Sequence, residues 1–447
     1  QDSVLSDAQA RFSLTSVNPE IGEEAHAVFE RYHTPDGMAR PGYLRAPNGE
    51  RTNLTERQWL QVRTPSFKRW FGDWEKVAVA NAILGDADIV AENSLLDMPP
   101  KEQRIAAKAL YDELKANGPV DTRDGRSVRF TGVGFKEIKS HSADPHTLAI
   151  VPILREVVAS ARYIGEGDVD ATAANKDVRA YHIYARRVNL GDGSMVARIV
   201  IHEDKNGNQF YDEESTSLEK VKEIQGQGSR DPNTGSGDGS PYAPHSLAEF
   251  FGGINPDAVS KVVDENGEPL VVYHGTGTDF NAFDPLRQGE NYLQSEGGFF
   301  FTTNREIARH YAKYHAEDGE GRVIEAYLSI RTPYESSAYG DDLGAPIEKY
   351  DDHRSEYLSE ADIQGCDGIS ITGEKSTLYV AFSPTQIKSA EANTGAFDAA
   401  NPDIRYSVHR ASPEEDAAYL EAVKRGDMET AQTMVDAAAK GAGYDSP

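Results

Sequence analysis

Two stretches near the middle of the chain alternate apolar and polar residues with the period of two expected of strands whose sheet has one covered and one wetter face. In Val178–Val188, Tyr181, Ile183 and Ala185 face one way and His182, Tyr184 and Arg186 the other. In Met195–Glu203, Met195, Ala197, Ile199 and Ile201 oppose Val196, Arg198, Val200 and His202. Asp204-Lys205-Asn206-Gly207-Asn208 has the composition of a hairpin turn leading into Gln209-Phe210-Tyr211. Upstream, the pattern predicts helices over Glu102–Asn117 and the strongly apolar Thr147–Tyr163, with a short strand at Ser127–Phe130 between them. The expectation is a group of helices followed by an antiparallel sheet with a polar open face.

A second patterned region begins at the apolar run Leu270–Tyr273, which reads as a buried strand and ends in His274-Gly275-Thr276, where the strand is expected to open into a loop. Gly297-Gly298-Phe299-Phe300-Phe301-Thr302-Thr303 predicts another strand. Arg305–Tyr314 has helical spacing, with Ile307, Ala308, Tyr311 and Ala312 on one face. Arg322–Ile330, Cys366–Ile371 and Thr377–Pro384 read as further strands, and Asp351–Glu360, in a long polar excursion, as a helix.

Elsewhere the signals are local. Thr55 is a candidate N-cap for a helix running toward Val62, and Thr64–Trp74 holds two of the three tryptophans, the mark of a core or docking patch. Gln225–Pro244 is rich in Gly, Ser and Pro and reads as a flexible linker. The pattern divides the chain into a Trp-rich helical segment at 1–98, an α+β unit at 99–222, a linker at 223–245, a second α+β unit at 246–408 and a helical hairpin at 409–447. The fold class expected is therefore α+β and multidomain.

Composition narrows the partners. A net charge of −27 opposes broad binding of nucleic acid or membrane surfaces, although residues 128–200 hold ten Lys and Arg against eight Asp and Glu. The single cysteine, Cys366, allows no intrachain disulfide or cysteine-rich metal site and fits a reducing cytoplasm. No metal site is expected, and no apolar run approaches the length of a membrane span. The chain opens on Gln1 rather than Met and is read as a piece of a longer polypeptide with further domains.

The segment VVYHGTGTDFNAFDPLRQGENYLQSEGGFFFTTNREIARHYAKY at Val271–Tyr314 resembles the ADP-ribosyltransferase fold of the diphtheria-toxin and poly(ADP-ribose) polymerase class. More closely, it resembles the transferase domains of phage and mobile-element polyvalent proteins, in which an Asn-Gly turn such as Asp264–Pro269 precedes the His-Gly-Thr segment. That resemblance covers about residues 256–406 and implies a split β-sheet core with helices. It further implies NAD as a substrate, with His274 bonding the nicotinamide ribose, the Gly275 backbone holding the carboxamide, Thr276 also in the NAD-binding set, and Phe300 and Tyr311 enclosing the nicotinamide ring.

Three positions depart from the family pattern. Phe300 stands where a tyrosine is usual, Ala308 where a helix serine would bond the carboxamide, and Leu378 where the catalytic glutamate belongs. Glu374, four residues earlier, is the expected catalytic substitute, and Glu325 is a second candidate. The implied function is mono-ADP-ribosylation of a protein or nucleic-acid acceptor in a bacterial host cytoplasm, as a toxin or effector; a degenerate NAD- or protein-binding module is the alternative. For the upstream unit, the layout loosely resembles barnase–EndoU–colicin-type nucleases, which implies metal-free RNA cleavage within 99–214.

Overall fold

The two alternating stretches become two of the three long strands of the upstream half. The computed structural model describes residues 22–405 apart from 35, 93–94, 133–144, 168–177, 221–246, 253, 279, 289–296, 317–320, 339–344, 392 and 394–396, together with 425 and 430. The expected linker, and all but two residues of the expected C-terminal hairpin, lie outside the described residues.

Helices α1 (Glu23–Arg31), α2 (Glu56–Gln61), α3 (Pro65–Phe71) and α4 (Trp74–Gly85) open the described chain. Thr55 caps α2 in a capping box with Gln58, as its position before a helical run predicts. The first sheet comprises β1 (Ile89–Val90), β2 (Val120–Asp121), β3 (Ser127–Arg129), β4 (Arg162–Gly167), β5 (Val178–Asn189), β6 (Ser194–Asp204) and β7 (Gln209–Lys220). Its order is β1-β5-β6-β7-β3-β2, with β4 also paired to β5. Strands β4 to β7 pair antiparallel, and β1 and β3 join in parallel.

Helices α5 (Pro100–Ala116), α6 (Pro145–Ala149) and α7 (Leu154–Ser160) cover one face, burying Tyr184, Val188, Ile199 and Ile201 against Ala107, Tyr111 and Val157. The long helix expected over Thr147–Tyr163 is instead α6, a 3₁₀ turn holding Pro152, and α7, with Tyr163 in β4. Proline supplies no N–H to an α-helical ladder, and the break falls there.

The expected open polar face is covered, because His182, Tyr184 and Arg186 lie on the face that α5–α7 pack against. The opposite face is covered too: Ala185 and Val196 pack against Val79, Ala80 and Ile83 of α4 and against Leu247 and Phe250 of α8 (Leu247–Gly252). His182 is buried with Nε2 2.9 Å from Glu203, Arg186 lies 3.3 Å from Asp86, and Arg162 makes a bidentate pair with the same aspartate. Long strands that meet helices on both sides bury their polar residues, which then find ionic partners instead of solvent.

The second sheet comprises β8 (Val272–Thr276), β9 (Phe299–Thr302), β10 (Arg322–Leu328), β11 (Pro333–Ser337), β12 (Gly368–Thr372), β13 (Thr377–Ala381) and β14 (Ile387–Ser389), in the order β11-β12-β13-β9-β8-β10-β14. Helix α9 (Arg305–His315) follows β9, and α10 (Ala345–Ile363) lies between β11 and β12. His274, Gly275 and Thr276 continue the strand and do not begin a loop. Strand β8 registers with β9 at one pair, Tyr273↔Thr302, while β9 and β13 share four pairs and β8 and β10 five. The sheet is therefore split between β8 and β9.

Its faces are covered by different parts of the chain. Phe283 packs on the face that carries Val272, Ile324, Phe299 and Phe301. On the other face, α10 covers Ile369, Ile371, Leu378 and Val380 with Tyr350 and Tyr357. Phe67, Trp70, Phe71 and Trp74 of α3 and α4 cover Tyr327 together with Ala390 and Phe397. The tryptophan patch is thus a docking core: Trp70 Nε1 donates to the Thr385 carbonyl at 2.9 Å and Trp74 Nε1 to that of Val62 at 2.8 Å. Burying each Phe-sized ring in such a core contributes about 1.5–3 kcal/mol.

Candidate active site

The split has a chemical consequence. Where the β8–β9 ladder stops, the Nδ1 of His274 donates to the Phe300 carbonyl at 2.8 Å, in place of a strand-to-strand hydrogen bond. A carbonyl only accepts, so the Nδ1 carries a proton in this contact, and in the neutral tautomer that fits it Nε2 is the acceptor. Phe283 and Phe301 hold the imidazole from its sides, with ring centroids 5.0 and 5.4 Å away.

A cavity of about 430 Å³ occupies the split. Its walls come from both faces of the sheet: Phe280, Phe283 and Arg287 from the segment after β8, Ile307, Ala308 and Tyr311 from α9, and Ile347 and Asp351 from α10. His274, Gly275, Thr276, Phe300 and Tyr311 all line it, so the structure gathers every ligand-binding residue read from the sequence into one pocket.

Gly275 is explained by packing. A Cβ there would lie 1.9 Å from the Ala308 carbonyl oxygen and 2.7 Å from the Ala312 nitrogen, and both alanines are buried. Helix α9 sits directly on the β8 backbone, and the small residues at 308 and 312 permit it. That approach places Tyr311 at the cavity wall. Asn304 caps the same helix, accepting from the backbone nitrogens of Glu306 and Ile307.

The two candidate glutamates lie elsewhere. Glu374 is exposed on the turn joining β12 to β13 and does not line the cavity. Glu325 pairs with Arg305 at 2.6 Å, and burial together with the neighbouring Glu391 pushes its carboxyl up; it too is outside the lining. Leu378 does line the cavity, buried at the position where the family glutamate was expected.

Residues 264–397 match the family model described as ADP-Ribosyltransferase in polyvalent proteins. That stretch, which holds the cavity, is similar to the ADP-ribosyltransferase domains of polyvalent proteins. Residues 99–211 match a second model, Large polyvalent protein-associated domain 3, so the upstream sheet is similar to a domain associated with the same proteins. No curated protein and no solved structure matches the chain.

Within the transferase domain, sequence reasoning overlooked Arg287 and Asp351, both at the cavity. Neither belongs to a recognisable motif, and Asp351 falls in the polar excursion that carries α10. Among the described residues no group of three or more His, Cys, Asp or Glu could hold a metal ion, and no helix is long and apolar enough to cross a membrane.

Proposed function

We propose that the transferase domain cleaves NAD at the bond to nicotinamide and transfers a single ADP-ribose to a protein or nucleic-acid acceptor of the host cell in which the polyvalent protein acts. The observation that carries this reading is the cavity at the β8–β9 split, with His274 held in one tautomer by the Phe300 carbonyl. In this reading, Nε2 accepts from a hydroxyl of the nicotinamide ribose. The Gly275 backbone and Thr276 meet the carboxamide, and the rings of Phe300 and Tyr311 enclose nicotinamide. Arg287 meets the diphosphate, offsetting locally the field of a chain with net charge −27.

Incubation with labelled NAD and host lysate tests this directly. The expected result is label transfer and nicotinamide release, both lost in His274→Ala. Release that is the same in wild type and His274→Ala would overturn the assignment.

Leu378 favours a second reading, in which the same cavity holds NAD without cleaving it. Calorimetry that detects NAD binding, paired with an assay that detects no nicotinamide, would select that reading.

A further inference from the structure

The transferase reading requires a negative charge beside the nicotinamide ribose, and β13 presents Leu378 there. Of the residues lining the cavity, Asp284 and Asp351 carry carboxylates. Asp284 is exposed and caps the turn that follows it, its Oδ1 accepting from the Leu286 nitrogen at 2.9 Å. Asp351 comes from α10, the helix that lies directly over Leu378.

We propose that Asp351 supplies the carboxylate that β13 lacks. This inference rests on the transferase reading above. Three observations place the group. Ile347 and Asp351, one helical turn apart, both line the cavity, so this face of α10 is turned toward it. Tyr350, the preceding residue, is fully buried and meets Phe300 edge-on with ring centroids 5.1 Å apart, which fixes the helix against β9. Two and three turns past Tyr350, Tyr357 and Ala361 are buried against the same half of the sheet, so Asp351 is carried by a docked element. Burial pushes the Tyr350 phenol up to about 12, and the adjacent Asp351 charge acts in the same direction.

In the reaction, the bond between ribose C1′ and the pyridinium nitrogen breaks and its electron pair goes to nitrogen, so nicotinamide leaves neutral. Positive charge develops at C1′ and is shared with the ring oxygen. The Asp351 carboxylate stabilises it and bonds a ribose hydroxyl. An oxygen or nitrogen nucleophile of the acceptor, or water, forms the new bond to C1′ and gives up its proton to the carboxylate, which passes it to solvent.

Nicotinamide release and calorimetric NAD binding in the full chain test the assignment, comparing wild type, Asp351→Asn, and Asp351→Asn combined with Leu378→Glu. Asp351→Asn should bind NAD as wild type does and release nicotinamide about 10²–10³-fold more slowly. The double variant should recover release, because a glutamate on β13 returns the charge from the neighbouring wall. Asp351→Asn turning over at the wild-type rate would overturn this inference and leave the transferase reading standing. Loss of NAD binding together with turnover would make Asp351 a structural support and also overturn it. A wild-type protein that releases no nicotinamide would overturn both readings.

Discussion

Arg63 and Glu268, 205 residues apart in sequence, meet as a buried ion pair at 3.1 Å. Glu268 is fully buried, and Thr52 donates to its second oxygen at 2.6 Å. The Arg63 guanidinium lies 3.9 Å from the Trp59 ring centroid. Burial pushes the Glu268 carboxyl up while Arg63 opposes the shift. Around this pair the N-terminal helices grip the turn that feeds β8. Asn53 donates to Asp264 and Glu265, Asn48 donates to Asn266, and Gly267, at φ 77°, stands where a Cβ would lie 2.7 Å from the Ala78 side chain. The strand bearing His274 is thus anchored by a segment that the family match does not include.

Replacing Arg63 by Met leaves Glu268 buried without its cation. Removing one partner of a buried pair costs about 3–5 kcal/mol, read as a lower urea midpoint at an unchanged slope. A change below about 1 kcal/mol would mean that water reaches Glu268 in the folded protein.

The docking core predicts that residues 256–405 do not fold by themselves. Cutting away α3 and α4 uncovers Tyr327, Ala390, Phe397 and Val259 on one contiguous surface. That fragment should be insoluble when expressed alone and soluble when co-expressed with residues 22–92. A soluble, cooperatively melting fragment would show the helices to be dispensable.

Gly275→Ala tests the contact that sets α9. Its new methyl would have to displace the Ala308 carbonyl, 1.9 Å from the ideal Cβ position. Overpacking of this kind costs about 1–3 kcal/mol, and the shift of α9 should carry Tyr311 away from the cavity. Both the melting temperature and NAD affinity should fall. Normal affinity would show that Tyr311 does not form the nicotinamide wall.

Tyr311→Ala removes the ring and leaves the helix in place. Stacking a base on an aromatic is worth about 1–3 kcal/mol, or roughly a 5- to 150-fold change in Kd. Tyr311→Phe should bind nearly as wild type, because the ring face is retained. Phe300→Tyr, which restores the residue usual in the family, should be tolerated. Calorimetry on the three variants separates a stacking ring from one whose hydroxyl matters.

Lys388 predicts a slope of stability with pH. It is fully buried on β14 and donates to the carbonyls of Asn401 and Asp403, and burial lowers its pKa to about 8. Below pH 8 folded and unfolded chains both carry the proton, whereas between 8 and the ordinary lysine value of 10.5 the unfolded chain binds a proton the folded one lacks. Stability attributable to this group therefore rises with pH across that window, by about 3 kcal/mol at most. Denaturation at pH 7.5 and 9.5 should show the rise in wild type and its absence in Lys388→Met.

Much of the site was legible because its signals are local. The apolar run before His274, the glycines before Phe299 and the helical spacing of Ile307, Ala308 and Tyr311 each follow from short-range pattern. The tryptophans also read correctly as a docking core. Less was legible where the deciding partner is distant. The face of β5 that carries His182, Tyr184 and Arg186 was expected to meet solvent, because alternation does not say which face the helices take; α5–α7 took that one, and α4 and α8 took the other. Glu374 stood close to Leu378 in sequence, yet the tight turn between β12 and β13 turns it out to solvent.

The sequence by itself determined the α+β class, the apolar strand leading to His274, the ring-bearing helix and the resemblance to ADP-ribosyltransferase domains, since strand and helix periods and motif spacing survive in one dimension. The tertiary structure alone decided which carboxylates line the cavity and what anchors the strand beneath it. Asp351 comes to Leu378 only because α10 folds back over β13, and Glu268 meets Arg63 only because the N-terminal helices close on the second sheet. Such juxtapositions depend on packing between segments far apart in the chain, and apolar area that drives packing carries no record of which polar group it will bring along.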